Sequence, residues 1–244
     1  MAVMKEMRLD KFLCQCLGIS RKEAKDMIRK KQITVNGQQA SRPEIKVFPG
    51  KDQVYCQEEA LSYEEHHYLM LHKPQGVVSA TKDASDKTVI DLIHENYKSG
   101  LFPVGRLDKD TEGLMLLTDD GELAHRLMAP KRHVPKSYYA EVAGRMGEAE
   151  VEAFSGHLDI GGGETAKPGI LKILETSDER SKVIITISEG KFHQVKRMVS
   201  AVGSRVLYLK RVSIGPLELD EGLALGEYRE LTKDEIDQIK EQRC

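Results

Sequence analysis

The twelve residues from Cys56 to His67, CQEEALSYEEHH, are polar almost throughout and divide a chain of 244 residues into parts of opposite charge. Residues 1–51 carry 12 Lys or Arg against 5 Asp or Glu, a balance of +7; the whole chain stands at −2, which leaves −9 for the remainder. The expected organisation is therefore a small domain over residues 1–60, a joint, and a larger domain over residues 67–244. At 40% hydrophobic content the chain has enough apolar side chains for a large core and a small one. The overall charge argues against a wholesale polyanion binder. A basic head on an acidic body instead points to a head that meets an anion such as nucleic acid, with a merely solvated charged face as the plain alternative.

Cys14, Cys16, Cys56 and Cys244 form no CxxC pair and have no matching His spacing, so they read as reduced thiols rather than as a zinc site or a disulfide framework. His66 and His67 are adjacent and point different ways in any regular element, so they propose no metal site. No apolar stretch approaches the roughly 18–20 residues that span a bilayer, and there is no signal-peptide core. A cytoplasmic protein without membrane contact is expected.

The head is well punctuated. Leu9, Phe12, Leu13, Cys16 and Leu17 recur at the spacing of one helix face, and Gly18 supplies a stop. In SRKEAKDMIRKKQ, Ser20 and Glu23 have the spacing of a capping box, with Ala24, Met27 and Ile28 facing inward. Arg21, Lys22, Lys25 and Arg29 then face outward, near Arg8 and Lys11 of the first helix. QITVNGQ reads as a strand entering an Asn36-Gly37 turn, and SRPEIKVFPGKDQVYC as further short strands.

Beyond the joint, strand-like and helix-like segments intersperse without a repeat. HYLMLHKPQGVVSAT reads as a strand broken by a Lys-Pro-x-Gly turn, GLMLLT as a buried strand, KSYYAEVAGRM as a strand, and AKPGILKILE and KVIITISEG as antiparallel neighbours. ELAHRLMAP, EAEVEAFSGHL and KFHQVKRMVSAVG read as helices, and RVLYLKRVSIGPLEL as a long bent strand. The fold class is α+β: an αα-hairpin head followed by a larger mixed, mainly antiparallel sheet domain. Gly161-Gly162-Gly163 leads into neither a Lys-Ser/Thr pair nor a helix, so it is a loop and not a phosphate cradle.

VGRLDKDTEGLMLLT crowds charge directly before an apolar run. At spacing two on an extended chain, Arg106, Asp108 and Asp110 share a face while Val104 and Leu107 reach the core; a solvated edge strand is the bland alternative. On KFHQVKRMVSAVG, Phe192, Val195, Val199 and Val202 make an apolar stripe, and Lys196 falls about 40° from Phe192 at about 100° per residue. A lysine there either reaches to solvent or pairs with a buried carboxylate. His193 and Arg197 point away from the stripe, where a ligand can meet them. The residues alone leave other readings open. Asp108 with Asp110 or Glu112 can serve as the acid and base of a glycoside hydrolase, their backbones about 6–7 Å apart on one strand face. A protein that only binds RNA or assists ribosome assembly needs no more than the head.

RLDKFLCQCLGISRKEAKDMIRKKQITVNGQ resembles the S-four-like RNA-binding domain, which implies RNA contacts at Arg8, Lys11, Arg21, Lys22, Lys25 and Lys30. HKPQG, VGRLDKDTEGLMLLTDDGELAHRL, KSYYAEV and SEGKFHQVKRMVSAVG, in this order, resemble the pseudouridine synthases, in particular the RsuA-like branch that acts on ribosomal RNA. His72 stands where that family often has Asn. The resemblance implies isomerisation of uridine to pseudouridine, a reaction that needs no metal, nicotinamide or other cofactor. It puts the ionised carboxylate on Asp108, as nucleophile or base, its cationic partner on Lys196, and on Tyr138 the ring that stacks on an extruded uracil. Arg106 becomes a contact to the RNA backbone or to the gap in the base stack, joined by His193 and Arg197; Tyr139, on the other side of its strand, becomes packing. The short tail after Leu231 favours 16S, small-subunit RNA, free or in an assembly intermediate, acted on by a monomer.

Overall fold

The computed structural model describes residues 5–129 and 132–241. Cys244, and Pro130 at the end of ELAHRLMAP, lie outside the described residues. The chain packs as two compact units, one running to His66 and including His94–Gly100, the other made of His67–Ile93 and Leu101 onward.

In the first unit α1 (Leu9–Leu17) ends at Gly18, whose φ of 64° is the left-handed value a glycine adopts freely. A side chain at Gly18 is excluded for a second reason: its Cβ would lie 2.7 Å from the Cβ of Asn96, in the 3-10 turn that packs on α1. α2 (Arg21–Arg29) starts in a full capping box, in which Ser20 N donates to Glu23 Oε2 at 2.8 Å and Glu23 N to Ser20 Oγ at 3.3 Å. Such a cap stabilises a helix by about 1 kcal/mol. Ile33–Val35 and Gln38–Gln39 pair across Asn36 and Gly37, both at positive φ (52° and 77°), the geometry of a tight hairpin turn. Leu9, Phe12, Leu13, Ala24, Ile28 and Ile33 fill the core. Among the described residues the cysteines Cys14, Cys16 and Cys56 are unbridged.

The second unit is built on one large sheet. Its main strands are β1 (Tyr68–Lys73), β2 (Glu112–Thr118), β3 (Lys136–Ala143), β4 (Ile170–Thr176), β5 (Arg180–Ile187), β6 (Val206–Ile214) and β7 (Tyr228–Glu230). They lie in the order β4-β5-β3-β6-β2-β1-β7, every pair antiparallel except β6 with β2. The helices are α3 (Gly121–Met128), α4 (Glu148–Ser155), α5 (Gln194–Ala201) and α6 (Lys233–Glu241). The α+β class with a mainly antiparallel sheet is thus what the sequence leads one to expect. Met70, Leu114, Leu116, Leu123, Leu127 and Ile214 belong to a core that α3 and α6 help to close. The parallel contact depends on Gly113, at φ 109°: a Cβ there would stand 2.2 Å from the carbonyl oxygen of Arg211.

Two local expectations need correction. Residues 104–111 form no strand: Gly105 turns left-handed at φ 78°, and Lys109 and Asp110 form a turn, although Val104 and Leu107 are buried as their apolar character requires. The helix expected over KFHQVKRMVSAVG begins only at Gln194, and its buried face is Gln194, Val195, Met198 and Val199. Phe192, expected in that stripe, is 75% exposed. The cause is the side chain of Gln194, which accepts from Lys191 N at 2.9 Å and donates to Glu189 Oε1 at 2.8 Å. Those bonds let a polar residue occupy the buried face and leave the preceding residues as a loop.

Candidate active site

The loop between Pro103 and β2 carries Asp108, and it is held from several sides. Ser79 Oγ donates to Leu107 O at 2.8 Å and accepts from Leu107 N at 3.0 Å. Gly76 N donates to Lys109 O at 2.8 Å. The fully buried Lys73, last residue of β1, donates from Nζ to Pro74 O at 3.0 Å, Asp108 O at 3.1 Å and Thr111 O at 2.8 Å. Burial pulls the Lys73 amine down to about 8, against the pull of Asp110, Asp108 and Glu112. In the sequence Lys73 stands out only as part of the Lys-Pro-x-Gly turn. Its signal was a cation closing an otherwise buried strand.

Asp108 meets Lys196 of α5, with Nζ 3.2 Å from Asp108 Oδ2. The same ammonium lies 2.6 Å from Asp110 Oδ1, so Asp110 is the nearer partner. Burial lowers the Lys196 pKa, but the bonds to Asp110 and Asp108 outweigh it and hold the amine above its ordinary value. In turn the bond from Lys196 holds Asp110 below the usual carboxylate range. His193 Nε2 stands 3.5 Å from Asp108 Oδ1.

The opposite wall comes from β3, where strand alternation puts Lys136 and Tyr138 on the buried face and leaves Ser137 and Tyr139 on the other. Tyr139 stacks edge-on with Tyr208, ring centroids 6.1 Å apart. Tyr138 pairs across the sheet with Arg211, which is wholly buried and donates from Nε to Leu114 O at 2.8 Å. Lys136 donates to Val134 O at 3.0 Å, and burial, helped by Arg211, pulls it down to about 8. A cleft of about 1040 Å³ has Arg106, Asp108, Lys136, Tyr138, His193 and Lys196 on its walls. It brings an ion-paired carboxylate, a buried phenol ring and an exposed arginine together around a space where a nucleotide can enter.

Arg197 is placed otherwise. Its guanidinium donates to Ile160 O at 2.8 Å, Gly161 O at 2.5 Å and Glu164 Oε2 at 2.5 Å, which ties the Gly161–Gly163 loop to α5. In the first unit, Arg8 is bonded to Asp10 at 2.8 Å and Glu44 at 3.2 Å, while Lys11, Arg21, Lys22, Lys25 and Lys30 are exposed.

A carboxylate paired with a single lysine beneath an aromatic wall, in a chain with a second unit of exposed cations, suits an enzyme acting on a nucleic acid. Residues 67–201 match the RNA pseudouridylate synthase family and residues 7–52 the S4 domain. The chain belongs to the RNA pseudouridylate synthase family, and it is an isomerase that converts uridine to pseudouridine. It is 44% identical to an uncharacterised RNA pseudouridine synthase of Bacillus subtilis (strain 168), over 96% of this chain and 99% of that one. It is 39% identical to the ribosomal small subunit pseudouridine synthase A of Escherichia coli (strain K12), over 94% of this chain and 98% of that one. A crystal structure of a pseudouridylate synthase is similar at a TM-score of 0.67 and 39% identity, covering 96% of this chain and 99% of the other. The glycoside hydrolase and binding-only readings fall with this membership. No helix among the described residues is long and apolar enough to cross a membrane.

Proposed function

We propose that the chain isomerises a uridine of small-subunit ribosomal RNA in the cytoplasm, acting as a monomer, with Asp108 as the essential carboxylate, Lys196 as its cationic partner and Tyr138 as the ring that receives the uracil. The observation that carries this assignment is the contact of Lys196 Nζ with Asp108 Oδ2 at 3.2 Å in a cleft walled by Tyr138. A stacked uridine cannot offer its sugar to that carboxylate, so the nucleotide is extruded, at a cost of about a few kcal/mol. Stacking on Tyr138 offsets part of the cost.

The bond from ribose to the ring nitrogen N1 then breaks, and its electron pair leaves with the uracil. The ring turns, C5 bonds to the ribose carbon, and the proton on C5 is lost as the ring double bond re-forms while N1 gains a proton. No atom is gained or lost. Lys73, Ser79 and Gly76 hold the Asp108 loop through this sequence, so the carboxylate waits in place rather than being ordered by the substrate. In the first unit Lys11, Arg21, Lys22, Lys25 and Lys30 are free to meet RNA phosphates; Arg8, bound to Asp10 and Glu44, orders the start of α1 as well. Arg106 and His193 serve the RNA at the cleft, and Arg197 acts on it through the loop it tethers.

The test is to incubate the protein with unmodified small-subunit and large-subunit RNA transcripts and map new pseudouridines. A product in small-subunit RNA only, absent with Asp108→Asn although that variant stays folded and binds RNA, is the expected result. Turnover by Asp108→Asn near the wild-type rate would remove Asp108 from the reaction, and modification of large-subunit RNA alone would move the substrate.

A further inference from the structure

At 75%, Phe192 is the most exposed large apolar side chain among the described residues, and it stands in the wall of the cleft that holds Asp108. The ring is thus largely open to solvent in a cleft that also holds cations. Its neighbour makes a platform of it: the His193 ring lies against Phe192 with centroids 3.7 Å apart and planes inclined by 21°. His193 adopts a left-handed backbone (φ 49°, ψ 33°), unfavourable for a residue with a Cβ, and its other edge reaches Asp108 at 3.5 Å. Two rings thus step outward from the carboxylate, and the outermost is open to solvent. Arg106 and Lys191 line the same cleft, and their charge favours a ligand carrying phosphates over an apolar protein surface.

We propose that Phe192, backed by His193, is a stacking platform for the RNA base next to the uridine drawn into the cleft. The inference rests on the functional reading above and adds a subsite to it. Extruding one nucleotide leaves its neighbour with an uncovered face, and an aromatic ring restores that contact. Every base has such a face, so the platform favours extrusion without choosing the flanking sequence.

The protein contains no tryptophan, so Phe192→Trp makes a single fluorescent reporter at this spot in the full chain. With an unmodified small-subunit rRNA transcript as the probe, its emission is expected to be quenched with the midpoint found by filter binding. Phe192→Ala and Phe192→Leu should bind that RNA about tenfold more weakly, while Phe192→Tyr and Phe192→Trp bind as the wild type does. Leucine is the decisive substitution because it keeps the apolar surface and removes only the aromatic face. Wild-type affinity and turnover in Phe192→Leu, or unchanged indole emission at saturating RNA, would overturn the platform. Pseudouridine formation by the wild type on the same transcript is measured in parallel. If it occurs and the Phe192 variants match it, only the platform fails; if it does not occur, the functional reading fails and the platform with it.

Discussion

Replacing Lys73 with methionine, nearly equal in length and uncharged, tests whether the Asp108 loop is held in advance of substrate. Lys73 Nζ makes three short bonds, to Thr111 O at 2.8 Å, Pro74 O at 3.0 Å and Asp108 O at 3.1 Å. At about 1.5–3 kcal/mol for each bond from a charged donor, they hold roughly 5–9 kcal/mol. Against this stands the buried charge: the amine is pulled from 10.5 to about 8, which costs about 3 kcal/mol at neutral pH. The balance, about 2–6 kcal/mol, is what Lys73→Met removes, and most of it is local to residues 108–111. A displacement of about 1 Å at a reacting group can lower a rate by about 100-fold, so turnover should fall by that much or more while RNA affinity changes little. Tritium release from transcript labelled at the uracil C5 measures the rate, and filter binding the affinity. The pH dependence provides a second readout. The folded amine titrates below the free one, so the unfolded state binds the extra proton, and the wild type gains stability relative to Lys73→Met as pH rises from about 8 to about 10.5. Lys136, also pulled to about 8, is present in both proteins and drops out of the difference. Turnover within threefold of wild type, with no widening of the stability difference over that pH range, would refute the reasoning.

Lys196→Met removes the cation shared by Asp108 and Asp110 and should lower turnover about 100-fold with RNA affinity nearly unchanged. Because Asp110 is held below its ordinary 3.8, the pair's contribution to stability is present above that pH and is lost as pH falls through the lowered value, a loss that acid titration of the variant should lack. Changing Lys11, Arg21, Lys22, Lys25 and Lys30 together to Gln should reduce the slope of log affinity against log salt by about 3.5–4.5, at roughly 0.7–0.9 per phosphate; an unchanged slope would mean these cations are only solvated. Gly113→Ala places a Cβ 2.2 Å from Arg211 O and should destabilise the fold by about 3 kcal/mol or more, a fall of about 10 °C in melting temperature.

What the sequence makes legible here is local and periodic. The head could be read because its helices keep their period and their caps and turn are spelled by Ser20, Glu23, Gly18, Asn36 and Gly37, each acting within a few residues. Lys196 could be linked to a carboxylate because a lysine beside apolar positions needs a counterion, though its register rested partly on Phe192, which the structure leaves in solvent. Lys73 and Arg197 stayed hidden because their partners are mostly backbone carbonyls 35 to 38 residues away, as with Asp108, Thr111 and Gly161, and carbonyls leave no trace in side-chain pattern. Gln194 misled for a different reason: its local bonds to Lys191 N and Glu189 let an amide sit where the period asks for an apolar residue.

The placement of the buried cations bears on how the Asp108 carboxylate stays available for the role proposed for it. Lys136 and Arg211 line the cleft and Lys73 backs the Asp108 loop, and each gives hydrogen bonds to carbonyl oxygens: Lys73 to Thr111, Lys136 to Val134 and Arg211 to Leu114. Lys73 even takes the backbone oxygen of Asp108 and leaves the carboxylate alone. Had those cations met the side chain instead, its oxygens would be saturated by donors, and a substrate would have to displace a bidentate or doubly bonded partner before reacting. Instead the carboxylate has Lys196 at 3.2 Å on one oxygen and His193 at 3.5 Å on the other. Lys196 is itself divided between two aspartates, the shorter contact going to Asp110. The pairing is thus loose enough to leave acceptor positions open toward the cleft, where the proposed reaction would bring a ribose.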